Sequence, residues 1–374
     1  MKIAFISSVH GHKWPGSENL WSECAGKLLL AGHQVLAVVS RDFRGAKTLG
    51  GLAAQGMSIQ YVRPFSGRWA RVSDRFLNPF RHVTAFAPDL IVVSSGSAYD
   101  PVYAPPLGKF LDDTGIPFVF ACQMNAETFW VDDSMRSIMG RILEKAAATV
   151  FMSAENWRIT ERQLAMKISR GHVIPPPLRL NVKDPLDWPD QSKDAPWRLA
   201  CVARLEPRWK GQDVLFEVLA NDKWKGRNYT LSLFGQGAEE QYLRRLIKYF
   251  GLEEQVVFSG FSPDPQSIWS NHHLQVLATR GEGGPMVITE GMMCGRASVT
   301  TRCGYNPDYI IDGETGFLAA FATPDCFGQK LEEAWSRRSA WREMGVRAHS
   351  AIWQRMESFK SADQFTALIE SLKN

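Results

Sequence analysis

The densest run of chemically capable residues is Arg280-Gly281-Glu282-Gly283-Gly284-Pro285-Met286-Val287-Ile288-Thr289-Glu290-Gly291. A short apolar run over 274–278 precedes it, so the loop is expected at the carboxyl end of a parallel strand, where open α/β sheets bind ligands. Gly283 and Gly284 permit close backbone approach and unusual dihedrals, and Pro285 suits the first helical position, where its missing amide costs nothing. The amides of Met286 and Val287 then face outward at the positive end of a helix dipole, an anion site suited to a diphosphate. Glu290, about one and a half turns into that helix, can accept from both hydroxyls of a vicinal pair such as a ribose carries. Glu282 would meet the other end of the same ligand. Taken alone, the loop also fits an ordinary glycine-rich turn with two solvated glutamates.

A second loop, Ala203-Arg204-Leu205-Glu206-Pro207-Arg208-Trp209-Lys210-Gly211, follows the apolar run 199–203. Arg204 and Lys210 are therefore expected at the same sheet edge. Two fixed cations beside a diphosphate stabilise the negative charge of a departing nucleoside diphosphate, which lowers a barrier. Singly, each also fits a solvated surface charge. In the first half, His10 and His12 follow the first apolar run, and one of them could deprotonate a hydroxyl. They lack a third ligand at a convincing spacing, so no metal site is expected. Asp112-Asp113 and Asp132-Asp133 do not form the Asp-x-Asp motif that a divalent ion needs on a strand end.

These loops need strands to hold them. Short runs rich in Val, Ile and Phe recur over 3–7, 35–39, 59–62, 90–93, 118–122, 149–152 and 172–174. After Pro175-Pro176-Pro177 the pattern restarts over 199–203, 231–234, 256–259, 274–278, 297–300 and 317–320. Helical periodicity fills the gaps, for instance over 212–220 and 238–250. The alternation predicts an α/β fold with two Rossmann-like doubly wound parallel sheets facing an interdomain cleft. Domains are expected over 1–176 and 177–355, with a last helix over about 356–374 packing back onto the first. At 374 residues the chain has the length for two cores.

The composition, 45% hydrophobic and 22% charged, is that of an ordinary soluble protein. A formal charge of +4 does not argue for nucleic acid. Met1 to Ile6 lack the length and cleavage region of a signal peptide, and no run is long enough to cross a bilayer. The six cysteines are scattered without paired spacing, which predicts a reduced, cytoplasmic setting.

In this order along the chain, the motifs resemble family 4 of the retaining glycosyltransferases, which have the GT-B fold. The most specific part is Glu282 and Glu290 with seven residues between them, preceded by Arg204 and Lys210. Phe234-Gly235-Gln236-Gly237, Gly260-Phe261, Asp312-Gly313-Glu314-Thr315-Gly316-Phe317, Pro15-Gly16-Ser17-Glu18 and Ala31-Gly32-His33-Gln34-Val35 support it. The resemblance implies transfer of a sugar from a nucleotide-sugar donor without a metal cofactor. It implies that Glu290 holds the ribose, Arg204 and Lys210 the diphosphate, and Glu282 with the amides of Gly283 to Met286 the transferred sugar. Gly16, Ser17 and Gly235 join the donor site.

Two features bear on the acceptor, expected to be a carbohydrate or a lipid-linked molecule. Where the family commonly carries a histidine, this chain has Gln123, followed by Asn125 and Glu127. Glutamine does not titrate near neutrality, so Glu127 becomes a candidate base, although all three also fit loop residues that satisfy backbone groups. From Arg41 through Arg81 there are eight Lys or Arg against two Asp. Within 63–81, Arg68, Arg71 and Arg75 share one helical face and Trp69, Val72 and Phe76 another, a pattern that fits peripheral contact with an anionic membrane or a core-facing stripe. Rivals to transfer are a nucleotide-sugar epimerase of the same fold and a nucleotide-sugar-binding protein without turnover. A nicotinamide dehydrogenase fits poorly, because Glu240 stands where the third glycine of its fingerprint belongs.

Overall fold

A computed structural model describes residues 1–63, 79–190, 192 and 194–372. Most of the basic segment 63–81 lies outside them. The chain divides into two compact units, one of Met1–Pro177 with Lys360–Asn374 and the other of Leu178–Phe359.

The first unit is built on β1 (Lys2–Ser7), β2 (Gln34–Ser40), β3 (Ser58–Val62), β4 (Leu90–Ser95), β5 (Phe118–Cys122), β6 (Ala148–Phe151) and β7 (Gly171–Val173). They form a parallel sheet in the order β3-β2-β1-β4-β5-β6-β7. The second unit has β8 (Trp197–Val202), β9 (Tyr229–Phe234), β10 (Val256–Gly260), β11 (Leu274–Leu277), β12 (Ala297–Thr301) and β13 (Phe317–Ala319). Their order is β10-β9-β8-β11-β12-β13. Both sheets are doubly wound, with the strand order reversing between β1 and β4 and between β8 and β11. Such a reversal parts the loops at the carboxyl edge and leaves a crevice there. The strands fall where the apolar runs predict them, because strands covered on both faces leave little room for charged side chains; β4 and β12 are buried at every position, their serines and threonines included.

Helices cover both faces. In the first unit, Ile3, Phe5, Trp21, Leu28, Val119 and Val150 share one core with Phe365 and Ile369. The latter two belong to the last helix, Ser361–Ser371. Lys27 and Asp363, 2.7 Å apart, and a 3.3 Å hydrogen bond from Thr366 Oγ1 to Cys24 Sγ fix that helix against Asn19–Leu30. In the second unit Arg296 is only 1% exposed and meets no carboxylate among its hydrogen-bond partners. Its guanidinium instead donates to the carbonyls of Trp269, His272, Cys294 and Asp187. This holds the incoming segment around Asp187 against the sheet. All six cysteines are free. No helix among the described residues is long and apolar enough to cross a membrane.

One buried charge in the first unit sets a pH dependence. Glu18 is fully buried in the loop after β1, accepting from Trp21 Nε1 at 2.8 Å and from Ser17 Oγ at 3.2 Å. Burial pushes its carboxyl up to about 7, against the opposing pull of these hydrogen bonds and one with Ser7. Between the ordinary glutamate range and about 7, the folded chain keeps a proton that the unfolded chain has lost. Stability from this group therefore falls as pH rises through that window and levels off above it. Glu18→Gln should flatten this decline: in urea unfolding at pH 5, 6, 7 and 8, the variant should lose less stability across the series than the parent. Equal declines would show that Glu18 does not carry the effect.

Candidate functional site

The crevice between β8 and β11 is where the sequence-derived residues converge. The β8 loop closes with a short helix, Pro207–Lys210, and Gly211, whose φ of +63° is left-handed. A Cβ on Gly211 would stand 1.8 Å from the carbonyl oxygen of Ala278. Only glycine lets the β8 loop lie against the end of β11 here. The β9 loop is joined to it in the same way, since a Cβ on Gly235 (φ +143°) would meet the Ala203 carbonyl oxygen at 2.0 Å.

Side chains then lock the β8 and β11 loops together. Arg280 donates to Asp213 through two bonds of 2.7 and 2.8 Å and to the Pro207 carbonyl at 2.7 Å. Its own amide donates to the Trp209 carbonyl at 2.7 Å. The result brings Lys210 Nζ to 2.5 Å from Glu282 Oε1, with the side chains only 14% and 9% exposed. Thr279 Oγ1 lies 2.9 Å from the same carboxylate oxygen and 2.9 Å from the Trp209 carbonyl. A buried ion pair is repaid only when further hydrogen bonds complete it, and Thr279 supplies that completion.

The helix that follows runs from Met286 to Met293. It corrects one expectation: Pro285 is the residue before the first turn, with φ −70° and ψ 110°, and the helix begins at Met286. Pro285 is still suited to its place, because an extended residue that needs no amide donor leads directly into the turn. A second correction concerns the glycines. The left-handed glycine of this corner is Gly304, after β12, at φ +58°; Gly283 and Gly284 are not among the residues of positive φ. A Cβ on Gly304 would lie 2.5 Å from the carbonyl oxygens of both Glu282 and Gly283. The Gly283 carbonyl also accepts from the Tyr305 amide at 2.8 Å. So the loop takes its shape from a neighbouring loop that touches it, and its own glycines need no special dihedral.

Glu290 sits on the Met286–Met293 helix, half-buried. Desolvation raises its carboxyl above the usual range, and the positive charge of Arg179, from the segment entering the unit, pulls it back. Arg204 stands half-exposed on the β8 loop, 3.2 Å from Glu206, with its carbonyl held by Gln212 Nε2 at 2.7 Å. Chemically, the corner offers a cation paired to a carboxylate, a second cation, a carboxylate about one turn along a helix, and the positive end of that helix's dipole.

In the first unit, His10, His12, Gly16 and Ser17 lie on the loop that leaves β1, and its start faces the end of β2. The Gly11 amide donates to Asp42 Oδ2 at 2.7 Å. This bond, with Ser40 and the nearby His10 and His12, holds the Asp42 carboxyl below its ordinary range. Gly16 and Ser17 lie in a single turn, Gly16–Glu18, ahead of the helix Asn19–Leu30. Gln123 is nearly buried and donates to Ser94 Oγ at 3.2 Å. Of the two readings open for these loop residues, the loop-bracing one holds for Asn125. Asn125 is 1% exposed, and its amide donates to Thr160 and Gln163 while its oxygen accepts from the Ala126 amide. It braces the loop and has no group left for a sugar. Glu127 stands half-exposed and accepts from both Arg158 and Arg162.

With this geometry in place, the chain can be set beside known proteins. Residues 196–337 match the family described as Glycosyl transferases group 1. Over 99% of this chain and 100% of the other, the structure resembles HepE from Anabaena in complex with UDP-glucose, at a TM-score of 0.73 and 18% identity. The fold is GT-B. Among curated proteins, the chain is 32% identical over 127 residues to the GDP-mannose-dependent alpha-(1-6)-phosphatidylinositol monomannoside mannosyltransferase of Mycolicibacterium smegmatis. It is 26% identical over 138 residues to the N-acetyl-alpha-D-glucosaminyl L-malate synthase of Bacillus anthracis. These matches cover 32% and 37% of this chain, and the chain spans about a third of each relative, 33% and 36%.

Thr279, Asp213, Gly211 and Gly304 complete the corner and had not been singled out from the sequence. Asp213 had a signal, an acid in the first turn of the helix Gln212–Leu219, but its partner Arg280 is 67 residues away. The ion pair itself makes a prediction. Lys210→Met strands a buried carboxylate and should cost the second unit about 3 kcal/mol or more. Adding Glu282→Gln should restore much of that loss, giving a strongly non-additive cycle. Additive losses in denaturant titration would mean that the two side chains do not interact.

Proposed function

We propose that this protein is a glycosyltransferase that moves a sugar from a nucleotide-sugar donor to a carbohydrate or lipid-linked acceptor. The observation that carries the proposal is the Lys210–Glu282 pair, completed by Thr279 and set in the β8–β11 crevice beside the start of a helix. In this scheme the donor's diphosphate takes Lys210 from Glu282, Arg204 and the helix amides share the charge, and the released carboxylate accepts from the transferred sugar's hydroxyls. Glu290 holds the ribose. The similarity to HepE, solved with UDP-glucose, makes a UDP-sugar the first donor to try.

We further infer that the enzyme retains anomeric configuration, as family 4 does, and works without a metal. Fixed cations and helix amides take the part a divalent ion would play at the leaving phosphate. The departing phosphate oxygen accepts the acceptor's hydroxyl proton as the new glycosidic bond forms on the same face, so no protein nucleophile is required. Gly16, Ser17 and Gly235 belong to the donor site, and Gln123 takes the histidine's place as a hydrogen-bond donor to sugar. A cytoplasmic setting, with peripheral membrane contact through 63–81, remains part of this proposal.

Two variants test the scheme. UDP at a hundred times its dissociation constant should stabilise the parent by about 2.7 kcal/mol, and Glu290→Ala should lose most of that rise in melting temperature. Glu282→Gln should keep the rise yet cut transfer from UDP-sugar about a hundredfold. Full activity in both, or interconversion of sugar epimers in place of transfer, would contradict the assignment.

A further inference from the structure

The loop after β5 spends an unusual amount of structure on presenting one side chain. Gln163 Nε2 donates to the carbonyls of Ala126 and Phe129 at 2.9 and 3.0 Å. Asn156 Nδ2 donates to the Asn125 carbonyl at 3.0 Å, and Tyr99 Oη donates to Gln163 Oε1 at 2.8 Å. Phe129 packs edge-on against Tyr99, with ring centroids 5.9 Å apart. On the other side Val131 is 2% exposed, and Asp132 caps the helix Asp133–Lys145. Between these two anchors Trp130 is 86% exposed.

An exposed tryptophan on a loose loop needs no explanation. Here the main chain on both sides of Trp130 is anchored, so the indole is presented from a fixed backbone and the loop itself has little conformational entropy left to lose on binding. The loop stands at the carboxyl end of β5, and its anchor Tyr99 follows β4, one of the two strands that flank the crevice of this sheet.

The surroundings decide what such a ring would meet. The chain next to Trp130 carries Glu127, Asp132 and Asp133, and the guanidiniums that reach these acids are all paired: Arg136 with Asp133, Arg158 with Glu127 and Glu155, Arg162 with Glu127. No surplus positive charge is offered to an anionic membrane. A flat apolar face on a loop that also carries carboxylates suits a pyranose ring, whose C–H face can cover the indole while its hydroxyls donate to acids of the loop.

Resting on the glycosyltransferase reading, we propose that Trp130 is a stacking platform for the acceptor and that the acceptor is therefore a saccharide. Trp130 touches substrate away from the reacting atoms and sets acceptor specificity.

The test uses the full chain labelled with 5-fluorotryptophan. The fluorine resonance missing from W130F identifies the residue. Maltose, cellobiose, lactose and diacetylchitobiose at millimolar concentration are added singly, and vesicles of phosphatidylglycerol with phosphatidylcholine are added in a separate arm. At least one disaccharide should move the Trp130 resonance, and the vesicles should leave it in place. With that disaccharide as acceptor, W130A should raise its KM about tenfold with little change in the melting rise caused by UDP, and W130Y should recover most of the loss. A resonance that no disaccharide moves, one that only vesicles move, or an unchanged acceptor KM in W130A would overturn the proposal. Failure of the donor reading is seen separately, as an absent UDP response in the parent protein.

Discussion

A lysine and a glutamate buried together at the edge of a parallel sheet are costly to keep, and the second unit is arranged around keeping them. Neither charge is well hydrated where it lies, so each depends on the other and on Thr279 for compensation. That dependence explains the clamp from Arg280 to Asp213, which fixes the two loops at the distance the pair needs. It also explains the crowding at Gly211 and Gly304, where any side chain would push those loops apart. A pair held in this way is poised for exchange, because an incoming anion can satisfy the lysine while the glutamate turns to hydroxyl donors.

The sheet order determines where such a pair can exist. With β8 and β11 adjacent and their connections leaving in opposite directions, their loops part instead of crossing over one another. The first unit repeats the device with β1 and β4, but serines fill it, gathered on a carboxylate: Ser8 after β1 and Ser97 after β4 both donate to Asp100, and the buried Glu18 nearby in the chain holds a proton up to about pH 7. The two crevices thus differ in character, one offering cations to an anion, the other hydroxyls held on an acid.

Strands were legible because burial leaves short runs free of Asp, Glu, Lys and Arg, and thirteen such runs became thirteen strands among the described residues. Lys210 and Glu282 could each be singled out from strand-end positions, yet their contact could not, since it depends on how two loops 72 residues apart settle against each other. Gly304 escaped notice for the same reason: what forbids a Cβ there is carbonyls from a different loop. The two readings of Asn125 stayed open because a polar loop residue looks the same in sequence whether it braces its own loop or faces a ligand. Trp130 carried no signal at all, as an aromatic between Phe129 and Val131 reads as core until its exposure is known.

The central claim is that nucleotide and Glu282 compete for Lys210. A crystal structure with UDP-glucose tests it most directly. The account predicts the diphosphate within hydrogen-bonding distance of Lys210 Nζ and Arg204, the ribose hydroxyls on Glu290, and Glu282 turned toward the glucose. Nucleotide bound elsewhere, or bound here with the 2.5 Å Lys210–Glu282 contact undisturbed, would contradict it.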